Sequence, residues 1–142
     1  MDEPIKAPLI QSIAEAILIL IASLVIGVVI SSPFLDVSNI KSGPVARAFT
    51  VIHAFIVQTV WYVVVFFRLD PSFPKIGLCI VIPCSALLFG GFVAFVTPIE
   101  WLGLDKFFGR EGSVFLIIFL TQSVICCYGM YKVRKDGPTR LE

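Results

Sequence analysis

Ile17–Ile30 reads ILILIASLVIGVVI, and the charge-free stretch around it extends from Ala16 to Leu35. An α-helical residue rises ~1.5 Å, so about twenty such residues match the ~30 Å oily core of a bilayer. Three further stretches are equally free of Asp, Glu, Lys and Arg: Ala48–Phe67, Ile76–Ile99 and Gly112–Tyr131. Of 142 residues, 58% are hydrophobic and 15% charged. A soluble domain carries ~25% charged residues, and these four windows account for the deficit. Leu, Ile, Val and Phe each contribute roughly −0.3 to −0.6 kcal/mol to insertion at the centre of a span. Ile17–Ile30 therefore offsets the cost of one intramembrane carboxylate, about +2.5 to +3.5 kcal/mol at the centre and less near an end.

The expected fold is all-α: a polytopic integral membrane protein forming one four-transmembrane-helix bundle, with spans near 9–30, 48–67, 75–96 and 113–131. Ser31-Ser32-Pro33 is expected to end the first span, leaving Ser31–Arg47 as the longest outer connection, with a turn at Ser42-Gly43-Pro44. Arg68–Pro74 is a tight return that makes the second and third spans antiparallel neighbours. Pro83 should kink the third span, and Thr97-Pro98 should end it. Residues Pro98–Gly112 suit a short interfacial segment before helix 4, with Trp101, Leu104, Phe107 and Phe108 on one arc. The acidic start Met1-Asp2-Glu3-Pro4 does not suit a cleaved signal peptide, so the first span is expected to stay.

Four spans put both termini on one side. That side holds seven basic residues (Lys6, Arg68, Lys75, Lys132, Arg134, Lys135, Arg140) against four (Lys41, Arg47, Lys106, Arg110) on the other. The positive-inside rule then sets both termini in the cytoplasm and the chain in the plasma (inner) membrane.

The hairpins carry a faint likeness. Ile30-Ser31-Ser32-Pro33 parallels Phe95-Val96-Thr97-Pro98, and Gln58-Thr59-Val60 parallels Gln122-Ser123-Val124. Chance resemblance between apolar stretches is the simpler account. A true tandem repeat would place Gln58 and Gln122 at similar depth near the midplane.

Few residues could carry chemistry. Glu15 is the one acid within a span, and such a group is a functional hypothesis by default. It would serve as an ion, proton or cationic-substrate site, or else snorkel to the near interface. His53, the only histidine, lies toward the other face. It suits a hydrogen bond to a neighbouring helix better than a pH sensor. Gln58 and Gln122 suit interhelical hydrogen bonding, worth about 0.6–2 kcal/mol each, ahead of a substrate-path lining. Trp61 falls at the depth of Glu15, with Cys79, Cys126 and Cys127 near the same level and Cys84 and Ser85 deeper. Such a layer would form a cation or amphiphile site, although ordinary packing explains it as simply. Cys126-Cys127 is a vicinal thiol pair, but successive helical residues point ~100° apart. Neither a metal site nor a cofactor is expected. No Ser-His-Asp set, HExxH or phosphate loop appears, so an enzyme is not expected. A net charge of +1 offers nothing to a nucleic acid.

Ser23-x-x-x-Gly27 and Gly90-Gly91 allow close helix approach. A chain this short is too small to enclose a wide pathway, so a homo-oligomer or a larger membrane partner is expected within the lipid bilayer. The four-span plan with Ala14-Glu15 in the first span is similar to that of small multidrug transporters. The Gly-Thr and Lys that follow the glutamate there are absent here, and the outer loops are longer. The resemblance implies a small transporter or channel subunit with Glu15 as its site. The competing expectation is a non-enzymatic interaction subunit of accessory, regulatory or toxin-immunity type, whose polar residues serve helix docking.

Overall fold

The computed structural model describes residues 3–37, 43–71, 74–98 and 103–136. Four helices account for nearly all of them: α1 (Glu3–Val37), α2 (Pro44–Leu69), α3 (Lys75–Val96) and α4 (Leu104–Asp136). Each contains a stretch long and apolar enough to cross a membrane: Ala7–Leu35, Val45–Leu69, Ile76–Val96 and Phe108–Lys135. No strand occurs among the described residues. The central pair is α2 and α4; α1 packs into one side of it and α3 into the other. Successive helices run antiparallel, so the central pair is parallel.

Several helix ends differ from expectation, in one direction. α1 starts at Glu3 and continues through Pro33 to Val37. α2 starts at Pro44, just after Gly43 at φ 108. The outer connection thus shrinks from Ser31–Arg47 to residues 38–43. Ser-Ser-Pro stops helices in water, where a freed carbonyl finds solvent. In hydrocarbon an unravelled turn exposes several backbone groups, against the single bond that proline removes. Ser31 also turns inward: its hydroxyl donates to Val28 O at 3.2 Å and lies 3.1 Å from Thr50 Oγ1 of α2. α3 keeps its expected limits, passes Pro83 without a break in the helix, and closes with Thr97 N–H on Val93 O.

α4 is interrupted at Gly109 (φ 76, ψ 169). The piece Leu104–Phe108 is therefore set off from the span, as a short segment before helix 4. Ser113 Oγ closes the break by donating to Gly109 O at 2.7 Å. Phe108 does not point away with an apolar arc; it packs on the cluster of Val51, Ala54 and Phe119. Trp101 and the side chains of Leu104 and Phe107 lie outside the described residues. The span then runs past Tyr131 to Asp136.

The two hairpins share one packing scheme. Buried Ile19, Ser23, Gly27 and Ser31 of α1 correspond in order to Ile82, Ala86, Gly90 and Ala94 of α3. Ala54, Gln58, Tyr62 and Phe66 of α2 correspond likewise to Ile118, Gln122, Cys126 and Met130 of α4. The glycines occupy matching contacts. A Cβ on Gly27 would lie 2.9 Å from Ala54 N, and one on Gly90 would lie 2.7 Å from Ile118 Cα. Of the Gly90-Gly91 pair only Gly90 is a contact, since a Cβ on Gly91 meets nothing within 4 Å.

Gly90→Val is accordingly expected to push α3 off α4 and to lower stability in detergent by about 1–3 kcal/mol, the usual cost of overpacking. Gly91→Ala should be within about 0.5 kcal/mol of the parent. Denaturant titration followed by helical circular dichroism measures both.

Candidate functional site

The register of α1 on α2 is fixed by two contacts, Ser31 with Thr50 and Gly27 with Ala54. One turn further on, it sets Ser23 opposite Gln58. The matching register of α3 on α4 sets Ala86 opposite Gln122. The middle of the bundle is thus a polar layer, and its hydrogen bonds have a twofold pattern. Gln122 Nε2 donates to Gln58 Oε1 at 2.8 Å, and Gln58 Nε2 donates to the hydroxyl of Ser123. The Thr59 hydroxyl lies 3.1 Å from Gln122 Oε1 and 2.9 Å from Phe55 O, and with one proton serves one of them at a time. Each glutamine therefore engages its partner and the hydroxyl residue that follows that partner in sequence. Both glutamines are fully buried. Two further buried hydroxyls, Ser23 Oγ and Tyr62 Oη, have no hydrogen bond of good geometry, although Ser123 is close enough to Tyr62 to influence its phenol. The layer ties α2 to α4 at the middle of the bundle.

The second polar group sits at the end of the bundle that carries the chain termini. Arg134 Nη2 pairs with Glu15 Oε2 at 2.5 Å, and Arg134 Nη1 donates to Ser12 Oγ at 2.8 Å. Arg134 is 11% exposed and Glu15 35%. Glu15 therefore neither snorkels alone nor stands free; it is held across the α1–α4 interface. A guanidinium near the C-terminus of α4 also faces the negative end of that helix dipole. The pair opens on a cleft of about 410 Å³ lined by Gln11, Glu15, Trp61, Val65, Arg68 and Arg134, among others. Arg68 carries no ion pair among the described residues. The cleft thus holds two cations and one anion.

The structure unites some of the sequence candidates and separates others. Glu15 and Trp61 line the same cleft, as their depths suggested. The cysteines do not join them. Cys79 and Cys84 are exposed on α3, Cys126 lies in the apolar cluster with Tyr62 and Phe66, and Cys127 borders a separate groove between α1 and α4. Among the described residues no group of His, Cys, Asp and Glu could hold a metal ion. His53 corrects its expectation. Its Nδ1 donates to Phe49 O of its own helix at 2.9 Å, not to a neighbouring helix. The ring stacks on Phe34 at 5.7 Å and tilts against Phe49 at 4.6 Å.

Arg134 is the residue that sequence reasoning misses, because it lies beyond the expected end of the fourth span at 131 and counts there only as one of seven basic residues on the terminal side. The signal was present: Gln122, Cys126 and Met130 form a buried ladder in steps of four, and the next step is Arg134.

Comparison of the chain with protein-family models, curated proteins and solved structures returns no match. Function is therefore argued from the chemistry of these two polar groups.

Gln58→Leu is expected to lower stability by about 1–2 kcal/mol, because it strands Gln122 in an apolar core. Gln58→Leu with Gln122→Leu should lose less than the sum of the single changes, since the two amides are removed together. A double-mutant cycle by denaturant titration in detergent reads the coupling.

Proposed function

We propose that the protein is a small membrane-transport subunit that takes a charged amphiphile sideways from lipid into the cleft around Glu15, Trp61, Arg68 and Arg134. The observation that carries this reading is the Glu15–Arg134 pair itself, which is partly exposed and borders a cleft instead of being packed away. An incoming charged group or proton competes for one partner and releases the other, which loosens the link between α1 and α4. The mutually bonded, fully buried Gln58 and Gln122 support a path that avoids the middle of one chain. The path would follow the surface of the bundle or the seam between copies. The excess of Lys and Arg on the terminal side supports a cytoplasmic setting for this end, in a plasma membrane.

The use of Gln58 and Gln122 to join α2 to α4 favours a second reading, in which the chain is a non-enzymatic interaction subunit whose polar residues serve helix docking. Phe89, Phe92 and Phe95 are exposed on α3 and would then meet a larger membrane partner.

Translocation of a fluorescent phospholipid in liposomes separates the two, read by dithionite reduction of the label that reaches the outer leaflet. Under the transport reading the purified parent speeds translocation, and Glu15→Gln changes that rate about tenfold or more while circular dichroism stays unchanged. No acceleration by the parent, together with stoichiometric co-purification of a second membrane protein, overturns transport in favour of the subunit.

A further inference from the structure

Trp61 of the cleft around Glu15 borders more than that cleft. The indole also lines a second groove of about 380 Å³, which continues along the outer face of α2 over Ile56, Val57, Val60 and Val64. Trp61 is the one residue common to the two linings. One part of this surface is charged and hydrogen-bonding, and the other is aliphatic. That division matches a molecule with a polar head and a hydrocarbon tail.

The charges set the sign of the head. Glu15 is already satisfied by Arg134, so a cation would have to displace a bonded guanidinium. Arg68 has no ion pair among the described residues and lines the same cleft as Arg134. Among the residues that line the cleft, two guanidiniums stand against one carboxylate. Guanidiniums recognise phosphate oxygens through paired N–H donors. Basic pockets between spans at the headgroup level are suited to anionic lipid heads. Gln11 adds a neutral amide beside them, and Leu18, Val65 and Leu69 supply the apolar wall between head and tail.

We infer that the amphiphile is an anionic phospholipid, its phosphate held by Arg68 and Arg134 and one acyl chain running past Trp61 along α2. This rests on the cleft being the working site, as proposed above, and names the class of molecule that enters it.

Trp101→Phe leaves Trp61 as the single tryptophan, since the chain has two. That variant is placed in phosphatidylcholine vesicles containing a minor fraction of lipid brominated on its acyl chain, and quenching of Trp61 is recorded. Brominated phosphatidylglycerol is expected to quench at about one fifth of the mole fraction that brominated phosphatidylcholine needs. Arg68→Gln should bring the two lipids close to parity and Arg68→Lys should retain most of the preference. Glu15→Gln, which frees Arg134, should raise it. Inorganic phosphate, compared with chloride at equal ionic strength, should leave the preference in place. Parity in the parent, or a preference that Arg68→Gln does not reduce, overturns the assignment. So does relief by inorganic phosphate, which would point to a free anion. A preference for a brominated trimethylammonium lipid overturns the sign of the head but leaves the cleft as the amphiphile site. A preference for phosphatidylglycerol without lipid translocation keeps this inference and removes transport.

Discussion

Hydrocarbon cannot hydrogen-bond, and the architecture follows from that constraint. A lone amide in the middle of a span is costly, so Gln58 and Gln122 bond to each other and to the hydroxyls beside them. This bond ties α2 to α4 at one level and makes the parallel pair the axis of the bundle. The flanking helices then close by backbone approach, at Gly27 on Ala54 and Gly90 on Ile118. The same constraint lengthens the helices. A backbone that leaves the helix within the oil has nothing to bond to, so α1 runs through Pro33 where a soluble chain would turn.

Much of this was legible in the residues. Four uncharged windows are a length measurement as well as a composition, and they locate four spans. Lys75–Val96 falls on its expected limits because Pro74 and Thr97-Pro98 bound it where the apolar run also stops. Gln58 and Gln122 were recognisable as interhelical hydrogen-bonding groups because polar groups in oil must find partners, but that they bond to each other came from the structure. The errors share a cause. Ser-Ser-Pro stops a helix by rules that hold in water, and the charges of Lys132–Lys135 look solvated, which ends the expected span at 131. Only the continuation of the buried ladder from Met130 brings Arg134 back to Glu15. His53 shows the limit of a depth argument: its level was recoverable, but its choice of its own helix depended on the rings of Phe34 and Phe49.

The faint repeat in the sequence is a clear one in the packing, and its two halves have separate chemistry. Where α1 buries Ser23 and Ser31, α3 buries Ala86 and Ala94. Where α1 carries Glu15, the corresponding position of α3 is Leu78. α3 is a plain packing helix by comparison. Of the polar groups of α1, Ser31 meets Thr50 at one end of the bundle, and Ser12 and Glu15 meet Arg134 at the other. Ser12 and Glu15 thus lie where Arg134 crosses from α4 and the cleft opens. That asymmetry is the physical ground for locating function at the α1 side.

The central claim is that the two glutamines face each other at one depth inside four serial spans. Disulfide formation in membranes tests it most directly. With the four native cysteines replaced, Gln58→Cys/Gln122→Cys is expected to cross-link rapidly within one chain under mild oxidation. Val60→Cys/Val124→Cys, both on exposed positions, should not. Cross-linking of the outward pair in preference to the inward one would mean that these helices face lipid with the wrong sides, and would contradict the account.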